Sequence, residues 1–118
     1  MGRLSTHVLD TVAGGPARGV RIELHRLDAE GQKIALADVI TNADGRTDMP
    51  LLEGDQMQAG SHEITFHVGD YFRAMPMTGN DPAFLELVPV RFQIIDAQGH
   101  YHVPLLVSPH AYSTYRGS

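Results

Sequence analysis

The chain has 118 residues, no cysteine and a formal net charge of −5. This length suits one domain with a core of its own, so we expect a single domain over residues 1–118. The lack of cysteine excludes disulfides and thiolate zinc sites. The acidic balance argues against a nucleic-acid partner, which would need a basic face.

No targeting segment is recognisable in the sequence. The N-terminus has no apolar core of signal-peptide length, and no apolar run approaches the ~20 residues of a membrane span. Residues 116–118 (RGS) are not the peroxisomal address Ser-Lys-Leu. We therefore expect a cytoplasmic location and no membrane partner.

Turn-forming residues recur about every ten to fifteen positions and divide the chain into short segments. Residues 20–25 and 64–69 alternate between apolar and polar side chains, the pattern of a half-buried strand. Residues 84–95 and 101–107 are rich in β-branched and aromatic side chains, which also favours strands. The turn signals lie at residues 14–16, 28–31, 42–45, 53–55, 79–82 and 96–99.

Only one segment has the features of a helix. Residues 70–75 are predicted to be helical, with Asp70 as the N-cap and Pro76 as the stop. Seven or eight short strands separated by regular turns, together with one short helix, indicate an all-β sandwich.

The first predicted strand carries a histidine that packing does not require. His7 lies on the same side of this strand as Ser5. Leu4 and Val8 face the other way. An imidazole can act as a general base near neutral pH, because its ordinary pKa is about 6.5. A surface or interface histidine is the commoner explanation for one such residue taken alone.

An arginine follows directly after one of the predicted tight turns. Gly45 supplies the turn and Arg46 follows. A guanidinium presents a rigid fork of donors that matches an anionic or carbonyl-rich ring. An arginine placed beside a histidine would also favour the neutral imidazole that a general base requires. Taken alone, Arg46 is more commonly explained as a solvated loop residue.

Two histidines flank a tyrosine in the last predicted hairpin. His100 and His102 point the same way on a strand, so they could share a metal ion. Zinc sites need three or four ligands, and the spacing specifies no third. We therefore expect no metal, and a catalytic role for one of the pair is the better hypothesis. The spacing does not choose between them.

The C-terminal segment, residues 112–118, contains aromatic and β-branched side chains almost to its last position. Chain ends are usually polar and frayed, so this pattern predicts an ordered strand whose end lies inside a larger site. The sequence contains no Gly-x-Ser-x-Gly elbow, phosphate-binding loop or paired-carboxylate motif.

Both ends of the chain resemble those of one known family. Residues 4–10 (LSTHVLD) and 14–17 (GGPA) are similar to the N-terminal motif of the transthyretin-like 5-hydroxyisourate hydrolases. Residues 102–109 (HVPLLVSP) and 112–118 (YSTYRGS) are similar to their C-terminal motif. The resemblance extends over the whole chain and implies a transthyretin-like (prealbumin-like) β-sandwich.

The resemblance also implies an activity. The hydrolases end in Tyr-Arg-Gly-Ser, as residues 115–118 do here, whereas the hormone carriers of the family have small apolar residues there and a longer tail. The implied reaction converts 5-hydroxyisourate to 2-oxo-4-hydroxy-4-carboxy-5-ureidoimidazoline in urate degradation, with no cofactor. The alternative is a non-catalytic carrier of a small ligand, such as a thyroid hormone, on the same fold.

The site residues and the assembly follow from the same resemblance. A homotetramer, a dimer of dimers, is implied, with active sites in channels between the dimers and a purine-derived small molecule as substrate. A histidine of the pair His7 and His102 would activate water, and Ser118 would act through its hydroxyl, its terminal carboxylate or both. His110 stands where many relatives have an aromatic residue. The implied catalytic residues are His7, Arg46, His102 and Ser118, and the implied substrate-binding residues are His7, Arg46, Tyr115, Arg116, Gly117 and Ser118.

Overall fold

The computed structural model describes residues 1–75 and 84–118, and these residues form mainly β-strands. The strands are β1 (Arg3–Asp10), β2 (Gly15–Pro16), β3 (Arg21–Leu27), β4 (Lys33–Ile40), β5 (Leu52–Glu53), β6 (Gly60–Phe66), β7 (Val88–Ile94), β8 (His100–Val107) and β9 (Tyr112–Thr114). A 3-10 helix spans Gly54–Gln56, and the α-helix α1 spans Val68–Arg73.

The strands form two sheets. One has the order β2-β1-β8-β9, with β5 also paired to β1, and the other has the order β4-β3-β6-β7. Strands β1 and β8 are parallel, and every other pair of these strands is antiparallel. The predicted all-β sandwich with one short helix is confirmed, although the described residues form nine strands where seven or eight were predicted, two of them only two residues long.

The alternating pattern predicted for the first strand is confirmed. Leu4 and Val8 are fully buried between the sheets, whereas Ser5 and His7 are half-buried on the opposite side. Each buried aliphatic side chain of this kind contributes about 1.5–3 kcal/mol to folding. The outer side of β1 is therefore free to carry polar side chains.

The alternation predicted for residues 64–69 is wrong in its second half. The strand ends at Phe66, and Val68 begins α1. Both faces of β6 are buried, because the outward-facing Glu63 is covered by charged side chains from β7, the adjacent strand, and from β4, two strands away. Lys33 Nζ and Arg91 Nη2 lie 2.6 and 3.2 Å from its carboxylate.

The helix begins earlier than predicted. His67, not Asp70, occupies the N-cap position, and Asp70 lies in the first turn, where a carboxylate favours the helix dipole equally well. The predicted stop at Pro76 and the turn at 79–82 lie outside the described residues. Within the described part of the chain, no helix has both the length and the apolar character needed to cross a bilayer.

Candidate active site

The parallel pairing of β1 with β8 brings two of the predicted functional segments together. In its register Ser5 is level with His102, and Arg3 is level with His100. These side chains lie on the side of the sheet that faces away from the core, since the alternate residues of both strands are buried. Ser5 and His102 are in contact there, with Ser5 Oγ 2.8 Å from His102 Nδ1.

A turn attached to β1 carries Arg46 to the same place. The backbone N–H of Val8 donates to the carbonyl oxygen of Gly45 at 2.8 Å. Gly45 has a φ of 72°, and a Cβ there would lie 2.4 Å from the carbonyl oxygen of Val8. Only glycine fits this contact. The side-chain oxygen of Asn42 accepts from the backbone N–H of Arg46 at 3.2 Å, which fixes the direction in which Arg46 leaves the turn.

The C-terminal segment returns across β8 after pairing with it as β9. The backbone N–H of Gly117 donates to the carbonyl oxygen of His102 at 2.7 Å. A Cβ on Gly117 would lie 2.6 Å from Cδ2 of the His102 ring. The ordered tail predicted from residues 112–118 is confirmed, and Ser118 follows directly at this point.

These elements enclose a polar cavity of about 270 Å³. Its lining residues are Arg3, Ser5, Arg46, His100, Tyr101, His102 and Ser118. A neighbouring hollow of about 240 Å³ shares Arg3, Ser5 and Arg46 and continues along residues 47–50. The structure therefore brings together three of the four predicted catalytic residues, and it adds a second guanidinium.

His7 lies beside this cavity and does not line it. It is two residues further along β1 than Ser5, is half-buried and is level with Pro104 of β8. Its charged form is close enough to act on His102 electrostatically. The catalytic and substrate-binding roles of His7 remain predictions.

Tyr115 and Arg116 line a different groove, of about 340 Å³, between the edges of the two sheets. The guanidinium carbon of Arg116 lies 4.3 Å from the ring centroid of Tyr101, and its Nη2 donates to the carbonyl oxygen of His100 at 3.2 Å. Within the described chain Arg116 therefore supports the tail. The substrate-binding roles of both residues remain predictions.

The surroundings of His102 favour the neutral form of its ring. Burial lowers the pKa of His102, and electrostatic interaction with Arg46 and with the charged form of His7 lowers it further. A hydrogen bond to the backbone of Ser5 raises the pKa, but this effect is smaller. A neutral imidazole has a lone pair with which to accept a proton. The expected effect of an arginine beside a histidine is thus present in the structure.

His100 is engaged elsewhere. Its Nε2 donates to the carbonyl oxygen of Met1 at 3.0 Å. Across residues 1–75 and 84–118, no group of three or more His, Cys, Asp or Glu side chains is arranged to hold a metal ion. The expectation that the protein works without a metal remains a prediction.

Arg3 and Ser5 were not predicted as site residues. Ser5 shares the outward side of β1 with His7, which was the available signal. Its contact with His102 joins residues 97 positions apart, and a parallel pairing of that separation leaves no mark on local sequence pattern.

Comparison with known proteins agrees with this geometry. The HIUase/Transthyretin family profile matches residues 4–117. A curated relative, 5-hydroxyisourate hydrolase 2 of Rhizobium meliloti, is 57% identical over 117 residues, which cover 99% of this chain and 97% of the relative.

Solved structures of related proteins share the fold. A 5-hydroxyisourate hydrolase from Klebsiella pneumoniae is 35% identical with a TM-score of 0.80, and each chain is covered completely. Transthyretin from Sparus aurata is 28% identical with a TM-score of 0.86, covering 98% of this chain and 96% of that one. An (S)-allantoin synthase is 44% identical with a TM-score of 0.91 over 99% of this chain, which spans only 44% of the synthase.

The matched length, the identity to curated relatives and the shared sandwich agree with one another. The chain belongs to the HIUase/Transthyretin family.

Proposed function

We propose that this protein hydrolyses 5-hydroxyisourate to 2-oxo-4-hydroxy-4-carboxy-5-ureidoimidazoline. The observation that carries the proposal is the cavity in which Arg46, His102 and Ser118 meet, where burial and nearby positive charge lower the pKa of His102. The high identity to a 5-hydroxyisourate hydrolase over nearly the whole of both chains supports the same substrate. The lower identity to transthyretin makes the alternative, a non-catalytic ligand carrier, the weaker one.

His102 is suited to activate the attacking water. Its Nδ1 is occupied by Ser5, so Nε2 is the ring nitrogen left for a water molecule in the cavity. As the water oxygen bonds to the ring carbonyl carbon, Nε2 takes a proton. The C–N bond of the cyclic amide then breaks, and the nitrogen receives a proton from an imidazolium, either His102 or the neighbouring His7.

Arg46 is suited to hold the substrate oxygens and the charge that develops on the carbonyl oxygen. A donor in such a position typically contributes about 2.7–4 kcal/mol to lowering the barrier. Ser118 reaches the same cavity and can hydrogen-bond the substrate or the water. Tyr115, Arg116 and Gly117 would then fix where Ser118 lies.

We also propose the assembly that the family implies, a homotetramer built as a dimer of dimers. The cavity is smaller than the roughly 300–1,000 Å³ of typical ligand sites, and it opens on the outer face of a sheet. A second subunit over that face would enclose the substrate. The proposal includes a single domain over residues 1–118 and a cytoplasmic location. Sedimentation tests the tetramer, and cell fractionation tests the location.

Turnover of 5-hydroxyisourate, generated enzymatically from urate and followed by its ultraviolet absorbance, tests the activity. His102→Gln should lower kcat/KM by at least about 100-fold, because a positioned general base contributes at least that much. His110→Gln is the matched control, since His110 is exposed and contacts Phe84 outside the cavity. Wild-type protein that binds a purine analogue without any turnover would favour the carrier instead.

A further inference from the structure

The hydroxyl of Ser5 forms a side-chain hydrogen bond with the His102 ring. Its Oγ lies 2.8 Å from Nδ1. Both side chains are half-buried, on adjacent parallel strands whose register makes them level. The contact is therefore built into the sheet and does not depend on a loop.

The opposite side of the ring is held by the tail. Cδ2 is the ring atom across from Nδ1, and it lies so close to Gly117 that a Cβ there would be 2.6 Å away. With Nδ1 against Ser5 and Cδ2 against Gly117, Nε2 is the ring nitrogen left for the cavity that His102 lines. The orientation of the ring is thus fixed from both sides.

The charges in the cavity indicate which nitrogen carries the proton of the neutral ring. Arg3 and Arg46 both line it, and guanidinium groups are donors only. A lone pair on Nε2 can accept hydrogen bonds from them, whereas an N–H on Nε2 would place one donor against others. Ser118 supplies a hydroxyl, which can donate as well as accept, and a terminal carboxylate, for which the two guanidinium groups in the same cavity are available as donors. A hydroxyl at Nδ1 can accept an N–H, so the neutral ring is satisfied with its proton on Nδ1.

We propose that Ser5 is a positioning residue: its hydroxyl accepts the Nδ1–H of His102, and this tautomer keeps the Nε2 lone pair in the cavity. The catalytic consequence rests on the proposed hydrolase function. The tautomer itself is a property of the resting protein and can be measured without substrate.

Long-range proton–nitrogen correlation spectra of ¹⁵N-labelled protein report the tautomer of each histidine. The His102 signals are identified by their loss in His102→Gln. We expect the Nδ1–H form in the wild type, a mixture of both tautomers in Ser5→Ala, and recovery of the Nδ1–H form in Ser5→Thr. Thr6→Val is the matched control, because the Thr6 hydroxyl faces the other side of β1 and donates to Val103.

Turnover should follow the tautomer. Ser5→Ala should lower kcat by about 10- to 100-fold, the loss typical when the partner orienting a functional histidine is removed, with KM little changed. Ser5→Thr should restore most of it. An Nε2–H tautomer in the wild type, or an unchanged single tautomer in Ser5→Ala, would overturn the proposal. An inactive wild type with the Nδ1–H form would instead refute the hydrolase function and leave the Ser5 contact established.

Discussion

Replacing Gly117 with alanine adds one methyl group where the C-terminal segment crosses His102. The new Cβ would lie 2.6 Å from Cδ2 and 3.3 Å from Cγ of the ring. Ordinary van der Waals contact begins at 3.4 Å, so the ring or the tail must move by about 0.8 Å. Gly117 itself needs no left-handed backbone, and the effect is therefore purely one of distance.

The size of that displacement sets the expected loss of activity. A shift of about 1 Å in a reacting group can reduce a rate by about 100-fold, so Gly117→Ala should lower kcat/KM by about 10- to 100-fold. Stability should change little. The contact lies on the outer side of the sheet, and the one backbone hydrogen bond at risk contributes about 0.5–1.5 kcal/mol.

Turnover of 5-hydroxyisourate and urea-induced unfolding of the same samples measure the two effects. Gly15→Ala is the matched control, because its Cβ would have no atom within 4 Å and its φ is not in the left-handed region. Normal turnover of Gly117→Ala would show that catalysis needs neither the ring of His102 nor the tail in its observed position, and the proposed roles of both would be refuted.

Three further outcomes are expected. Tyr71→Phe should destabilise the fold by about 1.5–3 kcal/mol in urea unfolding, because the Tyr71 hydroxyl donates to the buried Asp10 carboxylate at 2.8 Å. Arg46→Met should raise the pKa of His102 in an NMR titration and lower kcat/KM by at least about 100-fold; an unchanged pKa would contradict the electrostatic argument. Burial lowers the pKa of His62 from its ordinary value of 6.5. The free energy of unfolding should therefore be greatest above pH 6.5 and should fall below it, because the unfolded chain binds the proton before the folded protein does. His62→Leu should make that decline shallower.

The sequence was informative where a pattern is local. The alternation in residues 4–10 predicted which side of β1 is open, and the Asp-Gly turn predicted that Arg46 would project from it. Both rest on neighbouring residues and on backbone rules that hold in any fold. The tail pattern at residues 112–118 likewise predicted order, which β9 and the Gly117 bridge supply.

The pattern failed where tertiary contacts decide burial. Alternation assumes that one face of a strand meets solvent. On β6 the outer face is closed by Lys33 and Arg91, whose side chains cover Glu63, so polar and apolar positions are buried alike. The pairing of Ser5 with His102 could not be predicted from the sequence either, because it depends on which distant strands become neighbours.

Arg116 belongs to the hydrolase motif although it lines a groove other than the cavity of Ser118. Its stacking on Tyr101 and its bond to the His100 carbonyl together contribute about 1–2.5 kcal/mol to holding the tail. Arg116→Met should therefore speed hydrogen exchange of the Gly117 amide by roughly tenfold, since every 1.4 kcal/mol changes an equilibrium by that factor. It should lower kcat less than Gly117→Ala does. Unchanged exchange with a sharply raised KM would mean that Arg116 contacts substrate, which in this geometry requires the cavity of a neighbouring subunit.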